Sequence, residues 1–219
     1  MNPMNQAALR CLYTHLGFWM TLKLAVKSVW SEWQGRPFTD LPPASTPQDQ
    51  QTRTLLGPAV LLYRFLQNCL PYDEAVDLTQ KVIESSGHAF LKTLFTSEDL
   101  HHLQSLSQKE QEAWIKPKLE RIPNVDFQLH FEGDTLHFTV HACRFVELGR
   151  QLGVEEIIPF FCAVDQGFFG TILPEVQFSR STTLAQGGAT CPFIFSFAPS
   201  LPSEPSHSHL QKKDEAHLD

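Results

Sequence analysis

Five side chains in the C-terminal half of the chain have types and spacing that can support chemistry: Cys143, Cys162, Asp165, Arg180 and Cys191. "EVQFSR" and "CPFIFSF" alternate as β-strands do, and side chains two apart share a face. Val176, Phe178 and Arg180 therefore lie on one side of the first strand. Phe193, Phe195 and Phe197 share a side of the second, and Cys191 falls on their parity. With the phenylalanines marking the core, Arg180 and Cys191 point into the molecule. A buried guanidinium needs an anionic partner or several acceptors. Either an internal carboxylate supplies it, or the arginine clamps the carboxylate of a substrate.

In "FFCAVDQG", Cys162 and Asp165 are three apart and share one face of a helix; Cys143 and Glu147 stand four apart in "CRFVE". A thiol becomes a nucleophile where a nearby positive group lowers its pKa, and a carboxylate can activate water. The bland alternatives are that the cysteines are small core residues and that Asp165 caps its helix or binds the next turn. Between the two strands, "STTLAQGGATC" offers Thr183, Gly187 and Gly188. Paired glycines suit a tight turn, and they also leave backbone N–H groups open to a small polar ligand. Cys143, Cys162, Cys191, His141 and Asp165 match no short zinc signature. No GxSxG elbow, P-loop or GxGxxG turn is present, so neither metal nor cofactor is expected.

The elements that must carry these residues follow from periodicity. Leu12, Leu16, Trp19 and Met20 recur at helical spacing, with Lys23 and Lys27 at the edge of that apolar face, in a helix ending near "WQGRP". Residues 36–56 are rich in Pro, Ser, Thr and Gln and read as a mobile loop. A second helix fits Pro58 to Leu70. A third fits "YDEAVDLTQKVIESSGHAFLKTLF", with a break at Gly87, and "SEDLHHLQSLSQKEQEAWIKPKLERI" supplies one or two short polar helices. "VDFQLHF", "EGD" and "TLHFTV" then form a hairpin. A helical insertion separates it from the second pair of strands. The expected architecture is α+β: one domain over residues 1–198, with N-terminal helices packed on an antiparallel sheet of about four strands. Residues 124–197 hold the sheet and the candidate site, and 199–219 read as a disordered tail.

Composition sets the outer bounds. The chain has 219 residues, 42% of them hydrophobic, with 17 Phe and 4 Trp, which is enough to fill a core. A net charge of −7 without a Lys/Arg run excludes a nucleic-acid backbone as partner. Five widely spaced cysteines without a CxxC pair read as reduced thiols of a cytoplasmic protein. The longest uncharged stretch near the N-terminus, Cys11 to Leu22, is 12 residues, well short of the roughly 20 a membrane span needs. The expected partner is a small molecule, with no membrane; the oligomeric state is left open.

The succession from "HACRFVELGRQLG" through "FFCAVDQG" and "FSRSTTLAQGGATCPFIF" resembles the L-2-amino-thiazoline-4-carboxylic acid hydrolase family. Cys143, Cys162, Asp165, Arg180, Thr183, Leu184, Ala185, Gly187, Cys191, Phe193 and Phe195 occupy the places of that family's pattern. The chain departs from it at Pro192, where the family commonly has an acidic residue, and at Ile194, where it has a polar one. A more distant likeness is to the 4-vinyl reductase (Bet3-like) ligand-binding domain, some members of which hold zinc. Here two of the three corresponding ligand positions are Arg180 and Thr183, and only Cys191 keeps a ligand's chemistry.

The first resemblance implies a hydrolase that adds water to the amidine-like carbon of a cyclic carboxylate. Cys162 and Asp165 would be the catalytic residues, with either the thiolate or an activated water attacking. Arg180, Thr183, Gly187, Cys191 and Cys143 would bind the substrate. The competing expectation is a non-catalytic Bet3-like module that holds a hydrophobic or acidic metabolite in the same pocket.

Overall fold

The structure is a computed structural model and describes residues 2–122 and 125–197. The expected tail at 199–219 lies outside the described residues. Five helices come first: α1 (Pro3–Trp33), α2 (Pro47–Gln67), α3 (Tyr72–Leu91), α4 (Ser97–Gln104) and α5 (Gln108–Leu119). The hairpin β1 (Val125–Glu132) and β2 (Thr135–Cys143) follows, then α6 (Arg144–Leu152) and α7 (Ile158–Gly167), then β3 (Val176–Arg180) and β4 (Cys191–Phe197). The strands form one antiparallel sheet in the order β1-β2-β4-β3, so the α6–α7 insertion separates two strand pairs that meet at β2 and β4. This is the α+β class read from the sequence.

Register places the site residues. Phe138 of β2 pairs with Phe193 of β4, and Phe193 pairs with Arg180 of β3; two residues along, Val140 pairs with Cys191. Residues opposite one another share a face. Arg180 and Cys191 thus lie on the face that carries Phe138, Phe193 and Phe195, and this face belongs to the main core, with α3, α5 and α7 packed on it.

Three helix boundaries differ from expectation. α2 begins at Pro47, not Pro58, so the connection assigned to 36–56 ends at Thr46. Its first turns are polar and carry no apolar rhythm, but Thr46 caps them by accepting from the Asp49 amide at 3.0 Å. The buried Asp49 carboxylate then accepts from Arg53 and from Arg144 of α6. Burial acts to raise the Asp49 pKa, but the bonds from Arg144, Arg53 and the Ser45 amide outweigh it and hold the carboxyl below its ordinary range. α3 runs through Gly87 without a break. In α1 the chain leaves helical geometry at Gly17 (φ 73°), and both arms enter one cluster through Leu12 and Leu24. Leu12, Leu16 and Met20 of the expected face of α1 pack into that cluster, whereas Trp19 is exposed.

Candidate functional site at the polar end of an apolar cavity

The geometry begins with how closely α7 approaches α3. A Cβ on Gly87 would sit 2.6 Å from both methyls of Val164, so only glycine allows this contact. The contact holds α7 over the inner face of the sheet, with Cys162 and Asp165 one turn apart. A cavity of about 650 Å³ runs between the helices and the sheet. Most of its wall is aliphatic and aromatic, with Leu100, Trp114 and Phe138 among the lining residues. Asp165, Arg180, Cys143, Cys162 and Cys191 also line it, from the ends of α7, β3, β2 and β4.

Arg180 organises this end. Its Nη1 donates to Asp165 Oδ2 at 3.2 Å and its Nη2 to the Cys162 carbonyl at 2.9 Å. The guanidinium carbon lies 5.0 Å from the Phe193 ring centroid and 5.6 Å from that of Phe178. The Arg180 side chain is 8% exposed and that of Asp165 26%. The internal ion pair is therefore the partner that a buried Arg180 requires. Burial raises the Asp165 pKa to about 6, with the Arg180 charge and hydrogen bond pulling against it.

Burial likewise pushes the Cys162 thiol up to about 12; Arg180 opposes that shift and loses, while Asp165 reinforces it. Burial also raises the Cys143 pKa, against hydrogen bonds from the Val146 and Phe145 amides at the start of α6. Cys143 ends β2 and caps α6 instead of lying within a helix, and Glu147 pairs with Arg144 at 2.7 Å. Cys191 is buried and its sulfur accepts from the Leu184 amide at 3.1 Å. All five cysteines are free thiols. Among the described residues no group of three or more His, Cys, Asp or Glu side chains could hold a metal ion.

Thr183 and Gly187 lie outside the cavity lining. The buried Thr183 hydroxyl accepts from the Gln186 amide at 3.1 Å and donates to the Gln186 side chain at 3.0 Å, so it is used within the turn. Gly187 is exposed and left-handed at φ 84°. A Cβ on Gly188 would meet the Thr182 hydroxyl at 2.0 Å. Local geometry thus accounts for the paired glycines of the β3–β4 connection. Sequence reasoning missed the wall that α1, α2, α3 and α5 give the cavity, because an apolar residue lining a void carries the same periodicity as one filling a core.

No curated protein matches the chain. Among solved structures it is similar to an H-NOX protein from S. oneidensis, a triple mutant in the Fe(II) ligation state. That match has 12% identity and a TM-score of 0.40, covering 90% of this chain and 96% of that one. A second is an Fe(II) unliganded H-NOX point mutant from K. algicida, at 10% identity and TM-score 0.39, covering 91% and 97%. Likeness at this level carries no argument about the site. The family comparison extends much further into it: residues 50–195 match the sequence model described as L-2-amino-thiazoline-4-carboxylic acid hydrolase. That span contains Arg180, Asp165 and all three cavity thiols, and the chain belongs to the L-2-amino-thiazoline-4-carboxylic acid hydrolase family.

Proposed function

We propose that the protein opens a small cyclic amidine-type carboxylate by adding water, with Asp165 handling the protons and Arg180 holding the substrate carboxylate. The observation that carries this reading is the Arg180–Asp165 pair at the polar end of an apolar cavity. A carboxylate with a pKa of about 6 is ionised at neutral pH and still basic enough to take a proton from water. In the reaction the water oxygen bonds to the ring carbon between nitrogen and sulfur. Asp165 takes one water proton and passes it to the ring nitrogen. The C–S bond then breaks, the remaining hydroxyl proton goes to sulfur, and a carbonyl and a thiol result. Nothing is oxidised, and Asp165 ends as it began.

Arg180 spends one N–H on Asp165 and one on the Cys162 carbonyl. A guanidinium has about five N–H donors in a planar fork, enough to reach a ligand carboxylate as well. Cys162 belongs to the wall in this scheme: with a pKa of about 12, roughly one molecule in 10⁵ carries the thiolate at pH 7. Cys143 and Cys191 line the same end.

Asp165→Asn is expected to lower kcat by about 10²-fold or more while calorimetry still detects substrate binding. Arg180→Lys is expected chiefly to raise KM, and wild-type kcat/KM to rise as pH increases through about 6. Wild-type turnover by Asp165→Asn would remove the reading. A second reading, a non-catalytic Bet3-like module for a hydrophobic acid, is favoured by the cavity's largely apolar wall and its volume of about 650 Å³. It expects tight binding of bulky apolar carboxylates and no turnover of any.

A further inference from the structure

After the bend at Gly17, the outward side of α1 carries Phe18, Trp19, Leu22, Val26, Val29, Trp30 and Trp33, all exposed, from 44% at Leu22 to 79% at Trp19. The inward side of the same arm buries Thr21, Leu24 and Ser31. The helix therefore has one face in the fold and a more apolar face outside it. Taking about 150–250 Å² per aromatic ring, the four exposed rings present on the order of 500 Å², and Leu22, Val26 and Val29 bring the face to roughly 800 Å². The largest apolar patch of a typical monomer is only about 300–600 Å². A standard interface buries about 800 Å² on each partner.

The area matches what one partner of a standard interface buries, and the spacing suits another helix. Trp19, Leu22, Val26, Val29 and Trp33 are separated by three, four, three and four residues, an unbroken two-heptad seam. This narrow stripe, repeating every 3.5 residues, is the pattern by which one helix packs its side chains into another. Large residues, Trp19 and Trp33, stand at its ends, and the small Val26 at its centre. Turned end for end about Val26, Trp19 falls opposite Trp33 and Leu22 opposite Trp30, all exposed on this face, while Val29 falls opposite the exposed Lys23, so most of the surface meets apolar surface of a second copy in a two-fold contact.

We infer that the second arm of α1 is a self-association surface, and that its occupant is the same arm of a second copy of this chain, packed antiparallel. The contact also bears on the cavity, because Val29 belongs both to the seam and to the cavity lining, beside Ala25 and Ser28. A second copy seated on the seam covers that part of the cavity wall.

Sedimentation equilibrium of the full chain tests this. The chain mass is 24.9 kDa, and the expected species at micromolar concentration has twice that mass. Val26→Lys puts a charge at the centre of the seam and is expected to weaken self-association roughly 10²–10³-fold. Its circular dichroism spectrum should stay unchanged, since Val26 is exposed within one copy. Trp33→Gln is the second variant, expected to weaken association without a charge in the seam. Three results would overturn the inference: a wild-type monomer at 100 µM or so, a dimer indifferent to both substitutions, or a monomer that binds vesicles of phosphatidylserine and phosphatidylcholine through this face.

Discussion

Asp165 and Asp49 are both carboxylates facing arginine, yet their pKa values move in opposite directions. Asp49 accepts from two guanidinium groups and a backbone amide, which together outweigh burial. Asp165 has Arg180 alone, and burial wins. The consequences for stability have opposite signs. Asp165 binds its proton more tightly in the folded state, so its contribution is fully present below the ordinary carboxylate value of 3.8 and is lost as pH rises through about 6. Asp49 contributes stability at neutral pH that is lost as pH falls below the ordinary range. The thiols follow the same logic. Cys69 is exposed, whereas Cys162 sits in the cavity wall with its thiol held near 12. Iodoacetamide at pH 7.5 is expected to alkylate Cys69 well before Cys162, followed by peptide mass spectrometry. Rapid labelling of Cys162 would return it to the role of nucleophile.

The elements that place these groups were legible where the chain repeats a pattern and hidden where it relies on a single contact. Val176 and Phe178 in β3 and the alternating phenylalanines of β4 showed which way Arg180 and Cys191 point, because a period of two leaves no other face. The polar start of α2 has no such rhythm; it is held by the Thr46 cap and by Asp49 reaching Arg144, 95 positions along the chain. Gly87 reads locally as a helix breaker, but its role is tertiary. Gly87→Ala brings a methyl within 2.6 Å of Val164 and is expected to cost about 1–3 kcal/mol. For a chain of this size that lowers the melting temperature by roughly 2–4 °C per kcal/mol. Val164→Ala in the same chain removes the two methyls and should recover part of the loss. A double-mutant cycle by thermal denaturation measures this coupling. Additive losses would mean that α3 and α7 do not meet here.

At the scale of the whole molecule, the two readings of the site differ in how much of the cavity the ligand fills. Its volume of about 650 Å³ lies in the range of pockets that enclose a drug-sized molecule, roughly 300–1,000 Å³. A small cyclic acid would occupy only the Arg180 end. The remaining wall reaches across α5 and α3 to both arms of α1 and is mainly apolar, with Asn5, Ser28, Glu32, Thr54, Ser86 and Asp99 interspersed. Burial of apolar area is worth about 25 cal/mol per Å². Carboxylates with a growing apolar body should therefore raise the melting temperature in steps until the cavity is full, and their amides should raise it less. Arg180→Met should remove the difference between acid and amide while leaving the dependence on apolar size, since one contrast reads the guanidinium and the other the wall. Thermal shift at saturating ligand and fixed pH 7.5 separates the two. A response to cyclic amidine acids alone, flat across the apolar series, would confine the ligand to the polar end and favour the hydrolase. A response that climbs with apolar size, without turnover, would favour the binding module.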